Sequence, residues 1–265
     1  MRKKLKPIVV IGFFLTFFAI IFISGVYGNR ATAGKETTIT QSNTNPTSIE
    51  TIPSSSYYIT NALEMKPIID VSAWQRPSEI DYNTLSKNIS GAIVRIQSGS
   101  HTKNENTATD KNGLDKAFDT HIKEFQARNV PVAVYAYVTG NSIDSMKEEA
   151  RSFYEAANKY NPTFYWLDVE EHTMDDMNGG VEAFRQELES LGAKNIGIYV
   201  GTYFMEDHSI NVDKFDAVWI PTYGVDSGYY NAAPNTDLDY DLHQYTSRGY
   251  VNGFENYLDL NIITT

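Results

Sequence analysis

From Pro67 onward, short runs of apolar residues alternate with stretches whose apolar positions recur every three to four residues. The short runs are Ile68–Ser72, Ala92–Gln97, Val132–Val138, Phe164–Glu170, Ile196–Gly201, Ala217–Tyr223, Asp241–Thr246 and Tyr257–Ile262. They are rich in Val, Ile, Tyr and Trp, and several are almost continuously apolar, as expected of parallel strands buried on both faces. Between them, Leu114, Ala117, Phe118, Ile122 and Phe125 lie at helical spacing, as do Ile143, Met146, Ala150, Phe153, Tyr154 and Ala157. Val181, Phe184, Leu188 and Leu191 form a third stripe, closed by Gly192 where a left-handed cap belongs. Asp81 to Ile89 reads as a shorter helix. After Tyr203–Asp207 the helical signal fades, and loops alone join the last three strands. Eight strands with helices over the first half predict an α/β fold, a TIM-like (β/α) barrel that lacks helices around its last strands.

The first 65 residues follow a different pattern. A basic stretch, Arg2-Lys3-Lys4-Leu5-Lys6, precedes an apolar run from Ile8 to Ile23 and then a small-residue region. That order is an export signal. Ala31-Thr32-Ala33 offers a cleavage site, while Ile8 to Tyr27 is long enough to span a bilayer, so residues 1–33 read as a signal peptide or a signal anchor. Residues 34–64 are Ser/Thr-rich and read as a disordered tether, leaving 65–265 as the barrel domain. The expected location is extracellular or the cell surface. The protein is either secreted or held at the cytoplasmic membrane by its N-terminal helix, which contacts the membrane if uncleaved.

Charge narrows the partners. Of 22 basic residues, five lie in residues 1–30 with no acidic one, leaving 17 against 33 acidic residues and a net of −16 over the rest. Such a body repels a phosphate backbone, which excludes nucleic acid. The chain has no cysteine, so thiolate metal sites, a cysteine nucleophile and disulfides are ruled out. Its five histidines show no paired metal-ligand spacing. No metal and no cofactor are expected, although four carboxylates could in principle hold a hard cation. His121, on the apolar stripe of its helix, reads as a packed histidine.

Barrels of this type carry their chemistry where strands end. Asp70 ends the first strand, Asp168 and Glu170 the fourth, and Asp259 lies in the last. Residues i and i+2 of a strand share a face, so Asp168 and Glu170 project into one barrel mouth. Two acids that close raise each other's proton affinity. A protonated acid beside an ionised one suits glycoside hydrolysis, where one group protonates the leaving oxygen and the other stabilises the anomeric centre. Tyr137, Trp219 and Tyr223 are the aromatic candidates for sugar contact near strand ends. Gln244 could either reach a hydroxyl or join a ladder.

Several short motifs, in order, carry a resemblance. They are Asp70-Val71-Ser72 with Gln75, Ile80-Asp81-Tyr82, Val94-Arg95 with Gly99, Tyr135 with Tyr137, and Leu167-Asp168-Val169-Glu170. Ile198-Tyr199, Trp219-Ile220-Pro221-Thr222-Tyr223, Gln244-Tyr245-Thr246-Ser247, Val251-Asn252-Gly253 and Leu258-Asp259-Leu260-Asn261 continue the series. Over Pro67 to Asn261 the chain resembles the family 25 glycoside hydrolases, the Ch-type lysozymes. The resemblance implies that the barrel is flattened and that the chain is an N-acetylmuramidase, which cuts the β-1,4 bond between N-acetylmuramic acid and N-acetylglucosamine in peptidoglycan. It also implies that Glu170 is the general acid, that Asp168 assists the anomeric centre or the acetamido group, and that Asp70 and Asp259 complete an acidic cleft. The expected partner is the peptidoglycan glycan strand and the expected state a monomer. A non-catalytic wall-glycan-binding protein on the same barrel is the alternative. Two features depart from the family pattern: His121 stands where Asn is usual, and Val138-Thr139-Gly140 follows Tyr137.

Overall fold

The computed structural model describes residues 66–99 and 105–264, so the export segment and tether read from the sequence lie outside the described residues. Eight strands close into one barrel in sequence order. They are β1 (Ile68–Val71), β2 (Gly91–Gln97), β3 (Val132–Tyr137), β4 (Tyr165–Val169), β5 (Ile196–Val200), β6 (Ala217–Pro221), β7 (Leu242–Gly249) and β8 (Leu258–Ile263). Helices α1 (Tyr82–Asn88), α2 (Phe118–Gln126), α3 (Ile143–Ala157), α4 (Met177–Leu191) and α5 (Thr202–Asp207) occupy the connections as far as β6. The β6–β7 and β7–β8 connections contain no helix, as the fading periodicity predicted. Among the described residues, no helix is long and apolar enough to cross a membrane.

Local chemistry sets the helix ends. The Asp81 carboxylate accepts from the backbone N–H groups of Asn83 (3.0 Å) and Thr84 (3.1 Å), which start α1. Ser142 and Ser145 cap α3 reciprocally, and Asp176 caps α4 through the Gly179 N–H at 2.8 Å. Gly192 stops α4 with φ of +97°, a conformation that costs glycine little. One predicted start was too early. The apolar stripe begins at Leu114, but the helix begins at Phe118, because Asp115 commits its carboxylate to the backbone N–H groups of Ala73 (2.9 Å) and Ala117 (2.8 Å). The same carboxylate holds the buried Arg95 guanidinium, with Nε at 3.0 Å and a second nitrogen at 2.9 Å.

The strand directions hold one surprise. β1 to β7 run parallel, but β8 is antiparallel to both β7 and β1. Residues 250–257 make too short a link for a parallel return, which needs about a dozen residues or more, so β7 and β8 form a hairpin. Two cores result. Outward-facing side chains such as Val94, Val134, Leu167 and Ile198 pack against Phe125, Phe153, Phe184 and Leu188 from the helices. Inward-facing Ile93, Ala133, Trp166, Ala217 and Leu242 fill the barrel's lower half. His121 is fully buried among the outer residues. Its ring nitrogens meet the Tyr82 hydroxyl at 2.7 Å and the Ser72 carbonyl at 3.1 Å, the packed role expected from its place on the stripe.

Candidate active site

Side chains alternate across each strand, so the inward set climbs from an apolar floor to a polar mouth. On β4 that set runs Trp166, Asp168 and then Glu170, which lies one residue past the strand's last position. Asp168 is buried, whereas Glu170 is exposed at the lip. On the antiparallel β1–β8 pair, Asp70 lies directly opposite Asp259. In an eight-membered ring β4 and β8 are diametrically opposed, so two carboxylates stand on each wall of the mouth. All four line one cavity of about 190 Å³, together with Tyr135, Tyr199, Trp219, Tyr223 and Gln244.

A hydrogen-bond relay holds the β1 wall in place. Gln244 Nε2 donates to Asp70 Oδ2 at 2.9 Å, and Asn261 Nδ2 donates to the same oxygen at 2.8 Å. The Gln244 carbonyl oxygen in turn accepts from the hydroxyls of Tyr199 (2.9 Å) and Tyr223 (2.5 Å). The two tyrosines therefore fix which end of the amide faces Asp70, and Gln244 becomes a bridge instead of a ladder residue.

Burial and mutual repulsion push the carboxyls upward. Burial raises Asp70 to about 6 against the two amide donors. Burial, and then the charges of Asp70, Asp226 and Glu170, raise Asp259 to about 8. Asp168 is held well above the ordinary range by burial and by Glu170 and Asp70, with Arg95 pulling the other way. Its Oδ1 is buried with no hydrogen-bond partner among the described residues. Glu170 reaches solvent at the lip, but partial desolvation of its carboxyl, and then the charges of Glu171 and Asp70, still raise it. At neutral pH this cluster therefore keeps protons to give, in a mouth that can also stabilise a cation.

A stability prediction follows from Asp259. Between the unfolded value of about 4 and the folded value of about 8, the folded chain holds a proton that the unfolded chain has released, so stability falls as pH rises through that window. Asp259→Asn removes the penalty. Discounted for partial exposure, the gain is about 2 kcal/mol at pH 8, or roughly 4–8 °C in Tm for a domain of this size. At pH 4 the difference from wild type nearly vanishes. Thermal melts of both proteins at the two pH values check the prediction, and an equal gain at both would refute it.

The aromatic candidates separate. Tyr223 lines the cavity and belongs to the relay. Trp219 lines it as well but is only 2% exposed, held edge-on by Tyr199 at 4.6 Å and Trp166 at 5.5 Å, so it forms the floor and is no free stacking face. Tyr137 is not among the residues lining the cavity. Burial, and then the neighbouring Glu170 and Glu171, hold its hydroxyl far above the ordinary phenol range. Tyr135 and Tyr199 were not singled out as site residues in the sequence. For Tyr135 the available signal was positional, since it shares the inward face of Tyr137, whereas Tyr199 comes level with Asp168 only through the β4–β5 register. Trp74, just past β1 at the mouth end, is 60% exposed, and no local pattern marks it as a site residue. Among the described residues, no group of three or more His, Cys, Asp or Glu side chains is arranged to hold a metal ion.

The family model described as glycosyl hydrolases family 25 matches residues 69–254, nearly the whole barrel and every candidate carboxylate except Asp259. The chain belongs to glycosyl hydrolase family 25. It is therefore a glycoside hydrolase, and the acidic mouth is where this family 25 barrel presents its carboxylates. A Streptococcus pneumoniae structure, described as GHIP, a glycosyl hydrolase 25 participating in host cell invasion, is 59% identical with a TM-score of 0.74. The match covers 79% of this chain and 92% of that one. The catalytic domain of endolysin ply40 from a Listeria monocytogenes bacteriophage is 25% identical with a TM-score of 0.66, over 76% of this chain and 94% of that one. A bacterial lysozyme from Streptomyces coelicolor, 17% identical over 76% of this chain and 93% of that one, shares the fold with a TM-score of 0.59. A search of curated proteins by sequence found no match.

Proposed function

We propose that this family 25 enzyme is a peptidoglycan hydrolase, a lysozyme that cuts the β-1,4 bond between N-acetylmuramic acid and N-acetylglucosamine. The observation that carries the reading is the mouth itself, with four carboxylates on opposed walls above an aromatic floor. A cavity of about 190 Å³ is small beside the roughly 300–1,000 Å³ of a site that encloses its ligand, which suits one ring of a long glycan held at the centre while its neighbours lie outside. Endolysin and lysozyme structures among the neighbours support this substrate class. The autolysin LytC, 19% identical with a TM-score of 0.59 over 74% of this chain and 46% of that one, was solved with a synthetic peptidoglycan ligand.

In this reading Glu170, at the lip, passes its proton to the glycosidic oxygen as the bond from that oxygen to C1 breaks. The carboxylates of β4 share one strand face, so the group attacking C1 from the far side is the substrate's own 2-acetamido oxygen. Asp168 sits behind Glu170 and in its ionised form accepts from the acetamido N–H and stabilises the positive ring; its raised proton affinity confines that form to the upper part of the working pH range. Water then opens the intermediate and returns its proton to Glu170, with net retention at C1. Asp70, held by Gln244 and Asn261, and Asp259 form the facing wall of the cleft. The basic-then-apolar N-terminus supports export, so the enzyme acts on wall outside the cytoplasmic membrane.

The test is direct. Purified full-length protein should clear a peptidoglycan suspension, and mass analysis should place the new reducing ends on muramic acid. New ends on glucosamine, or binding without release of fragments, would overturn the proposal.

A further inference from the structure

The pole of the barrel opposite the cleft is open and apolar. Two adjoining hollows, of about 460 Å³ beneath the floor and 380 Å³ beside the β1–β8 edge, share Ile68, Ser90 and Ile263. Phe164 and Trp166, stacked at 5.2 Å, line the first, and Ile263 stands 54% exposed in both. The rim acids are turned to the backbone: Asp216 accepts from Ile196 N–H and Asp241 from Val218 N–H, each at 2.8 Å. What the groove offers a partner is therefore chiefly apolar surface, which is costly to leave in water.

The chain enters the barrel at this pole. Lys66 and Pro67 line the second hollow, and Ser90 pins both, its N–H donating to the Pro67 carbonyl and its hydroxyl to the Lys66 carbonyl, each at 2.9 Å. The nine residues just before Lys66 are Tyr57-Tyr58-Ile59-Thr60-Asn61-Ala62-Leu63-Glu64-Met65, of which six are apolar or aromatic. The preceding stretch, 40–56, has no aromatic residue, and Ile49 and Ile52 are its only large aliphatic ones. We propose that residues 57–65 fold back into this groove, so that the barrel domain begins near Tyr57 and the spacer shortens to residues 34–56. Attachment at Lys66 supplies a local concentration in the millimolar range, which favours this segment over any free occupant. The docking itself does not depend on which carboxylate does what.

The absence of cysteine makes proximity easy to measure. In the full chain, Asn61→Cys with Thr163→Cys places one thiol in the segment and one on the exposed far rim of the groove. A short bis-maleimide should link the pair within one chain, and adding Ile59→Ser and Leu63→Ser should slow that linkage roughly tenfold or more. Asn61→Cys with Tyr203→Cys, on α5 beyond the mouth end of β5, should link slowly with or without the serines. A segment that is merely tethered would react at Thr163→Cys equally fast with and without the serines, which would overturn the proposal. Linkage that joins two chains instead of one would overturn it too, by assigning the groove to a second copy.

Discussion

Glu170→Gln is expected to lower turnover on peptidoglycan by about 10²–10⁴-fold, the range over which a positioned general acid accelerates a reaction. Gln keeps the shape and one hydrogen-bonding oxygen but carries no transferable proton. Glu170 is exposed at the lip and among the described residues its oxygens hold no backbone group in place, so Tm should stay within about a degree of wild type. Removing one charge also relieves Asp168, whose proton affinity is raised by burial and then by Glu170. The residual rate should therefore lose the alkaline fall-off that deprotonation of the acid imposes. Turnover measured from reducing ends between pH 4 and 9 checks both points. Near-normal turnover in this variant would sink the assignment and point to another carboxyl as the donor.

Asp168→Asn should cost about 10²–10³-fold in kcat, the usual scale for removing one preorganised electrostatic group, with KM changed much less. The kcat–KM split follows from the charge Asp168 meets. Positive charge grows on the ring and the acetamido group only as the bond breaks, so the carboxylate acts on the transition state more than on the bound substrate. The same arrangement requires the acetamido group, so de-N-acetylated glycan should be a poor substrate. Proton NMR of the first product decides the stereochemistry, and a β-anomer is expected. An initial α-anomer would mean that a water attacked from the far wall. Asp70 would then become the base, because Asp259, raised to about 8, keeps its proton at neutral pH while Asp70, at about 6, releases its own.

The sequence by itself determined the strands, the helices and the shared face of Asp168 and Glu170, because each depends on near neighbours. Periodicity of 3.6 or 2 is set within a dozen residues, and so are the caps at Asp81, Ser142 and Gly192. The loss of helices after α5 was legible for the same reason. The reversed direction of β8 was readable in principle from the eight residues that link it to β7, a span no parallel crossover can use. The exceptions were local patterns overruled by distant partners. Leu114 extends the stripe of α2, yet Asp115 is claimed by Arg95 and by the Ala73 backbone 42 positions away.

Only the tertiary structure decided how the cleft is built. Gln244 meets Asp70 across 174 positions and Asn261 meets it across 191, contacts that no local pattern encodes. Closure of the ring buries Asp70 and sets it against Asp259; burial raises both, and the charge of Asp70 lifts Asp259 further. Closure also sorts the aromatics, sending Trp219 to the floor, drawing Tyr199 and Tyr223 into the relay and leaving Tyr137 off the cavity wall. A strand's alternation says which side chains share a face. How deep each one lies in a closed barrel, and what stands opposite it, depends on the register of strands far apart in the chain.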